Sequence, residues 1–261
     1  MMDTREALLF SYLAYHNKDT LDNPIKLPTE WYSLWLTLKD RYNHPIELFN
    51  CDQYNIGDTQ LIYTIDSEDR LIISFRGTKT LNDLITDIKF VKDKFIDICY
   101  TPFYLKHNHD RTDLPYIHGG FYEMFNMIKY ELLHIVKDYL KRVDIEKHRI
   151  LLTGHSLGGS LSILSSVFIY VNYHHLIKEE RLLLENITFG SPKVGNSEFA
   201  REYNEWIINN RHYYHSCDPI PCVPILQFYT VGNVHRVDST ADSYFYSLDY
   251  HYMDNYIKYL L

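Results

Sequence analysis

The chain has few cysteines, which excludes a small secreted domain held together by disulfides. Its 261 residues contain only Cys51, Cys99, Cys217 and Cys222, too sparse a set for the disulfide framework of a small secreted domain. We therefore expect free thiols and a cytoplasmic location. A bridge between Cys217 and Cys222, which flank one short loop, is the alternative.

Basic residues and long apolar runs are also scarce. The formal net charge is −8, with 34 acidic against 26 basic residues and no basic cluster, so we expect no nucleic-acid partner. The most apolar stretch, 161–171, is shorter than the roughly 18 residues of a membrane span and predicts a buried helix. The N-terminus lacks the basic segment and cleavage site of a signal peptide, which predicts a soluble protein that begins with an amphipathic helix.

Patterns typical of metal sites, repeats and linkers are missing. The 14 histidines form no HExxH motif and the cysteines no paired CxxC, so no metal site is predicted. No internal repeat and no tract rich in glycine, serine and proline divides the chain. We therefore predict a single domain over residues 1–261, and the sequence does not indicate its oligomeric state.

Strand and helix patterns alternate along most of the chain. Two β-rich segments, 59–66 and 70–77, flank a turn and predict a hairpin. The elements predicted after them are a helix over 121–143, a strand over 149–154, a long helix, a strand over 184–192, a helix over about 197–209, a strand over 212–216, and a C-terminal hairpin and helix. This order predicts an α/β fold with a mostly parallel sheet and helices on both faces.

The segment 150–166, ILLTGHSLGGSLSILSS, contains the most informative motif. Gly154, Ser156 and Gly158 match GxSxG between a predicted strand and helix, where a serine is held on a strained turn at a helix N-terminus. A side chain at either glycine would collide with neighbouring backbone. This setting predicts that Ser156 is a nucleophile, and a glycine-flanked helix cap is the alternative.

A nucleophilic serine needs a histidine base and a carboxylate that orients the base. In α/β-hydrolases both follow the serine in the chain, with the acid first. Asp218, just after a predicted strand and followed by proline, is the favoured acid. Its competitors are Asp238, Asp242 and Asp249.

His251 is the favoured base. It is the last histidine in the chain and lies where a loop enters a short terminal helix. His235 is its rival, but the alternating pattern around that residue is typical of a strand. The residues alone therefore nominate Ser156, Asp218 and His251 as a catalytic set.

Six stretches resemble one family in order and spacing. They are IISFRGT at 72–78, HGGF at 118–121, TGHSLGG at 153–159, TFGSPKVGN at 188–196, CDPIPCVP at 217–224 and HYMDNY at 251–256. Over roughly residues 60–258 the chain resembles the class 3 lipases, the fungal-type triacylglycerol lipases and their acylglycerol and phospholipid relatives. The resemblance implies an α/β-hydrolase fold and hydrolysis of carboxylic esters without a cofactor.

The resemblance also assigns roles to residues. It places the nucleophile on Ser156, the acid on Asp218 and the base on His251, in agreement with the choice from the residues alone. It implies an oxyanion hole made by Thr78 and the backbone amide of Leu157, which meets the need for two donors about 3 Å from the tetrahedral oxygen. The HGG at 118–120 is then interpreted as a turn into a helix.

One segment departs from the family pattern. Fungal-type members usually carry a tryptophan in the lid helix after the oxyanion residue, whereas KTLNDLITDIKF at 79–90 has none. The segment instead carries an apolar stripe at helical spacing: Leu81, Leu84, Ile85 and Ile88. This stripe predicts a lid that covers the acyl pocket in water and turns outward at a lipid surface, with a fixed surface helix as the alternative. The insertion over 100–116 has no predicted purpose.

Together these features predict a serine lipase or esterase that acts on acylglycerols or related lipids through an acyl-enzyme, with transient contact with a membrane or lipid droplet. Phospholipase A1-type or short-chain esterase activity is the alternative, because headgroup and chain-length preference depend on pocket shape. A catalytically silent lipase-like binding domain is a third hypothesis. The presence of Ser156, Asp218, His251 and Thr78 at all four expected positions argues against it.

Overall fold

A computed structural model describes residues 4–42, 44–51, 59–77, 93–95, 115–142, 144–238 and 246–261. The α-helices, α1 to α7, are Thr4–Leu13, Lys18–Asp22, Thr29–Leu38, Gly119–Leu140, Leu157–Lys178, Ser197–Trp206 and Met253–Leu260. The strands, β1 to β9, are Glu47–Cys51, Thr59–Ile65, Arg70–Phe75, Asp93–Phe95, Tyr116–His118, His148–His155, Leu182–Phe189, Asn209–Tyr214 and Val234–Arg236. Short 3-10 helices lie at Pro24–Lys26, Lys39–Arg41, Ile220–Cys222 and Leu248–His251.

Seven strands form one sheet in the order β1-β2-β3-β6-β7-β8-β9. The strands β1, β2 and β3 pair antiparallel, whereas β3, β6, β7, β8 and β9 run parallel. The strands β4 and β5 form a separate antiparallel pair. The predicted hairpin is therefore confirmed as β2 and β3, and the predicted α/β architecture with a mostly parallel sheet is confirmed as well.

Helices cover both faces of this sheet. Ile73 of β3 and Leu152 of β6 pack in one core with α4, α5 and α6, whereas their neighbours Ile72 and Leu151 pack in another with α1, α3 and α7. This division follows from the strand geometry, in which successive side chains point to opposite faces. A strand buried on both faces needs apolar residues at every position, which explains the uninterrupted apolar runs in the sequence.

The helix α5 contains the apolar stretch 161–171, and its residues from Leu157 to Val167 are all buried. The prediction of a buried helix there is confirmed. Among the helices of the described residues, none combines the length and apolar character needed to cross a membrane.

Three boundaries differ from the prediction. The helix α6 ends at Trp206, and β8 already begins at Asn209 because it pairs with β7 from that residue onward. The strand β7 ends at Phe189, since Gly190 has a φ of +58° and turns the chain out of the sheet. Of the predicted C-terminal hairpin, Val234–Arg236 pairs in parallel with β8, and residues 239–245 lie outside the described residues.

The first helix forms as predicted, but it is not amphipathic. Seven of its ten residues are buried, because α1 lies on the sheet beneath other helices. One of these buried residues is Glu6, which has no exposed surface. A charge in such a place needs a partner, and the structure provides one at the start of β3.

That partner is Arg70. Its Nη2 lies 2.7 Å from Glu6 Oε2, and its Nε donates to Asp66 Oδ2 at 2.6 Å. Tyr42 donates its hydroxyl to the other Glu6 oxygen at 3.0 Å. Burial raises the pKa of Glu6, while the guanidinium of Arg70 opposes that shift. The cluster fixes α1 to the edge of the sheet where β3 begins.

We predict that Arg70→Met lowers the free energy of unfolding by about 3–5 kcal/mol, because the buried carboxylates of Glu6 and Asp66 lose their hydrogen-bonded counterion and only Arg41, 4.0 Å from Glu6, remains nearby. Arg142→Met is the matched control: Arg142 pairs with the exposed Asp69, so its loss is expected to cost about 1 kcal/mol or less. Urea unfolding of both variants measures the difference. Equal destabilisation by the two substitutions would contradict the structural role assigned to Arg70.

Candidate active site

Ser156 lies alone between β6 and α5, since His155 ends the strand and Leu157 begins the helix. Its φ of 58° and ψ of −131° are unfavourable for a residue with a side chain, at a cost of about 1–3 kcal/mol. The backbone amide of Ser156 donates to Phe189 O at 2.9 Å, which ties the turn to the end of β7. The turn is therefore held by the sheet despite its strain.

The glycines on either side make this turn sterically possible. A Cβ atom at Gly154 would lie 2.3 Å from Gly158 O, and a Cβ atom at Gly158 would lie 2.1 Å from Phe75 O. Both distances are far below any normal contact. The helix α5 thus packs directly on the backbone of β3 and β6, and the predicted steric role of the two glycines is confirmed.

The structure brings Asp218 and His251 together. His251 Nδ1 lies 2.7 Å from Asp218 Oδ2, and both side chains are fully buried. The His251 ring also lies 4.6 Å, between ring centroids, from His155. A Cβ atom at Gly190 would meet His251 Cε1 at 3.0 Å. His251 is therefore packed against the ends of β6 and β7, next to the serine turn.

Asp218 accepts two further hydrogen bonds. Its Oδ1 accepts from the backbone amide of Ile220 at 2.9 Å, and its Oδ2 accepts from the Tyr256 hydroxyl at 3.2 Å. Burial and the Asp218 carboxylate hold the pKa of Tyr256 well above its usual range, so this hydroxyl remains a donor. Three donors compensate the carboxylate for the water that it loses.

Two polar atoms of the site have no hydrogen-bond partner among the described residues: Ser156 Oγ and His251 Nε2. Because the carboxylate of Asp218 can only accept, His251 Nδ1 carries the proton of that hydrogen bond. In neutral His251 the Nε2 atom therefore holds a lone pair, and Ser156 holds a hydroxyl proton. The site thus has an available base and an available hydroxyl group in a buried environment.

The rival residues have other roles or positions. Asp238 accepts from the amide and the hydroxyl of Ser216, at 2.8 and 2.6 Å, and so holds the loop before Asp218. Asp249 is exposed, and Asp242 lies outside the described residues. His235 is exposed on β9, in agreement with the prediction that it is a strand residue.

Of the predicted oxyanion donors, only Leu157 is described. It is the first residue of α5, and the amide of a first helical residue has no acceptor within its helix. Thr78, the lid stripe and nearly all of the 100–116 insertion lie outside the described residues. The residue before Thr78, Gly77, lies against the serine, since a Cβ atom there would be 3.2 Å from Ser156 Cβ.

Two other predictions can be compared with the structure. The helix α4 begins at Gly119, so the HGG motif is the turn into a helix, as predicted. Cys217 is buried and Cys222 is exposed, and no disulfide joins these two described residues.

The sequence analysis missed one group of residues that reaches the site. The Tyr15 hydroxyl lies against the backbone of Gly77, where a Cβ atom would be only 2.2 Å from it, and that hydroxyl lies 2.8 Å from His155 Nδ1. The other ring nitrogen, His155 Nε2, lies 2.7 Å from His251 O. A carbonyl only accepts, so Nε2 carries the proton and Nδ1 accepts from Tyr15.

This chain of hydrogen bonds requires a neutral His155. Burial lowers the pKa of His155 well below its usual value, and the nearby His251 lowers it further. His155 therefore acts as a fixed spacer, with one defined tautomer, between Tyr15 and the backbone of His251. The histidine inside the GxSxG motif was a visible signal for such a role, but no local pattern singles out Tyr15.

Comparison with known proteins agrees with this geometry. The family model for lipase (class 3) matches residues 72–228. A lipase from Rhizomucor miehei is 28% identical over 166 residues, which are 62% of this chain and 40% of that protein. Phospholipase A1-II 5 from Oryza sativa subsp. indica is 31% identical over 118 residues, 44% of this chain and 25% of that protein.

A solved structure described as "A serine protease triad forms the catalytic centre of a triacylglycerol lipase" has a TM-score of 0.69 at 20% identity and covers 95% of this chain and 91% of that one. This likeness shows the α/β-hydrolase fold. The chain spans less than half the length of the two curated relatives. Since the family model covers more than half of the chain, the protein belongs to the class 3 lipase family.

Proposed function

We propose that the protein is a serine carboxylic-ester hydrolase that acts on lipid esters through an acyl-enzyme at Ser156. The observation that carries the proposal is the buried 2.7 Å hydrogen bond between Asp218 and His251, next to a strained serine whose hydroxyl has no partner in the described residues. The triad in the related lipase structure supports the same reading.

In the first half of the reaction, Ser156 Oγ attacks the ester carbonyl carbon while His251 Nε2 takes the hydroxyl proton. The tetrahedral intermediate then collapses, the bond to the alcohol oxygen breaks, and the imidazolium returns the proton to that oxygen. Asp218 keeps His251 in the required tautomer and stabilises the imidazolium. The products are an alcohol and an acyl-enzyme.

In the second half, water attacks the acyl carbon and His251 Nε2 accepts its proton. Collapse of the second tetrahedral intermediate releases the carboxylic acid and regenerates the Ser156 hydroxyl. The oxyanion of both intermediates is stabilised by the amide of Leu157 at the positive end of the α5 dipole, with Thr78 as the second proposed donor.

Acylglycerols are the proposed substrates, and phospholipids are the second candidate because a phospholipase A1 is the relative with 31% identity. A panel of glycerides, phospholipids and short-chain esters distinguishes these classes, since each releases a different acyl or alcohol product. Cleavage of a phospholipid at its first ester with little glyceride hydrolysis would favour the second candidate. The cytoplasmic location stays a prediction, which subcellular fractionation of the natural source tests.

Ser156 is expected to react covalently with a fluorophosphonate probe, because an activated serine attacks phosphorus as it attacks a carbonyl. Ser156→Ala should abolish labelling and reduce turnover of a soluble ester by about 10⁴ to 10⁶. Mass spectrometry of the labelled peptide identifies the site. A folded protein that neither reacts with the probe nor hydrolyses esters would instead be the silent binding domain.

The histidine assignment has its own matched test. His251→Ala is expected to reduce kcat by at least about 10³, because the serine then lacks its base. His235→Ala is the control and should leave kcat unchanged, since His235 is exposed on β9. Steady-state kinetics on a soluble ester measure both variants. Loss of turnover in His235→Ala together with an active His251→Ala would overturn the assignment.

Tyr15→Phe removes only the hydroxyl that lies between the backbone of Gly77 and the His155 ring. We expect kcat and the rate of fluorophosphonate labelling to fall about tenfold with KM unchanged, because the backbone of His251 loses a fixed support worth roughly one hydrogen bond. Tyr12→Phe is the control, since it makes the same change three residues earlier in the chain, in a ring that stacks on Trp31. Equal rates in the two variants would contradict a positioning role for Tyr15.

A further inference from the structure

The loop after the proposed catalytic acid carries an unusual surface. From 219 to 235 it contains no Asp, Glu, Lys or Arg, although 23% of the chain is charged. Within it Ile225 is 75% exposed, Leu226 is 80% exposed and Tyr229 is 52% exposed. Single exposed apolar residues are common in proteins, whereas adjacent aliphatic residues at a loop tip indicate an interaction site. We refer to Ile225 and Leu226 as the aliphatic pair.

Hydrogen bonds on both sides hold the aliphatic pair in its exposed position. Before it, Val223 O accepts from the Lys193 amide at 2.8 Å. After it, the Tyr229 amide donates to Gly195 O at 2.9 Å, and the intervening Phe228 is buried. The loop is thus fixed to the segment that follows β7. Its two ends pack on the protein while the tip between them faces outward.

The loop begins at the catalytic edge of the sheet, and its tip is anchored there to residues 193–195, which follow β7. It starts directly after Asp218, at the carboxyl end of β8, and parallel strands place the ends of β6 and β8 at the same edge. A further exposed aromatic residue, Tyr252, directly follows His251 and is 54% exposed. Exposed apolar and aromatic side chains therefore occur on the two chain segments that carry Asp218 and His251.

We propose that this loop, through the aliphatic pair, inserts into an uncharged lipid–water interface and orients the active site toward it. The inference rests on the proposed function, since lipid esters are presented to a hydrolase at such an interface. Exposed aliphatic side chains gain free energy on entering the acyl boundary, and tyrosines suit the headgroup level. The occupant is a lipid surface of low charge, because the loop has no cation to bind anionic headgroups and the chain has a net charge of −8.

The test is flotation with phosphatidylcholine vesicles, using the Ser156→Ala protein so that bound lipid is not hydrolysed. Ile225→Ser with Leu226→Ser should lower the partition coefficient at least about tenfold, because two aliphatic side chains no longer enter the lipid. The matched control is Ile25→Ser with Ile208→Ser, at positions that are 73% and 72% exposed elsewhere on the protein. The partition coefficient of this control variant should stay within about twofold of that of the parent protein, because its substituted side chains do not enter the lipid.

The salt concentration and the charge of the lipid distinguish apolar insertion from electrostatic binding. Binding should persist at about 0.5 M NaCl, where charge interactions are screened, and phosphatidylserine in the vesicles should weaken it. The proposal is overturned if the parent does not float, or if both double variants lose binding equally. It is also overturned if light scattering shows a dimer that only the aliphatic-pair variant dissociates. Hydrolysis of a soluble short-chain ester, with Ser156 intact, separates this failure from failure of the proposed function.

Discussion

Parallel pairing of three adjacent strands determines where every part of the candidate site lies. The strands β6, β7 and β8 run in one direction, so the residues that follow them meet at one edge of the sheet. Ser156 follows β6, Gly190 follows β7 and Asp218 lies beyond β8. An antiparallel β8 would place Asp218 at the opposite edge. His251, on the C-terminal segment, therefore lies beside both the carboxylate and the serine turn at this one edge.

Two buried polar clusters of the protein differ in how completely they are paired. In the cluster of Glu6, Asp66 and Arg70, the opposite charges are paired at hydrogen-bond distance. Removing one partner from such a cluster leaves a buried charge uncompensated and lowers the free energy of unfolding. Around Asp218 the carboxylate is equally well satisfied, yet Ser156 Oγ and His251 Nε2 are not. The first cluster therefore stabilises the fold, and the second retains groups that can react.

Periodicity and motifs in the sequence were enough to predict the central architecture. Strands buried on both faces and long helices produce strong local signals, so the β2–β3 hairpin, α4, β6 and α5 were found. The burial of α1 and the parallel pairing of β9 were not, because both depend on tertiary contacts that local sequence patterns do not show. Tyr15 was missed for the same reason, since 140 positions separate it from His155. The chain order Ser, then Asp, then His nevertheless restricted the candidate acids and bases to residues after Ser156, and Asp218 and His251 were chosen from these.

The segment from α1 to Tyr15 lies outside the part of the chain that matches the family model, yet it contacts central strands of the sheet from their start to their end. Glu6 binds Arg70 where β3 begins, Ser11 Oγ lies 2.8 Å from Thr153 Oγ1 in the second half of β6, and Tyr15 reaches His155 where β6 ends. A buried segment with polar contacts at three positions can lie on the sheet in only one way, because any shift would leave buried groups unpaired. The Tyr15 hydroxyl is thereby fixed between Gly77 and His155. The geometry of the candidate site thus depends on an N-terminal segment that lies outside the GxSxG motif.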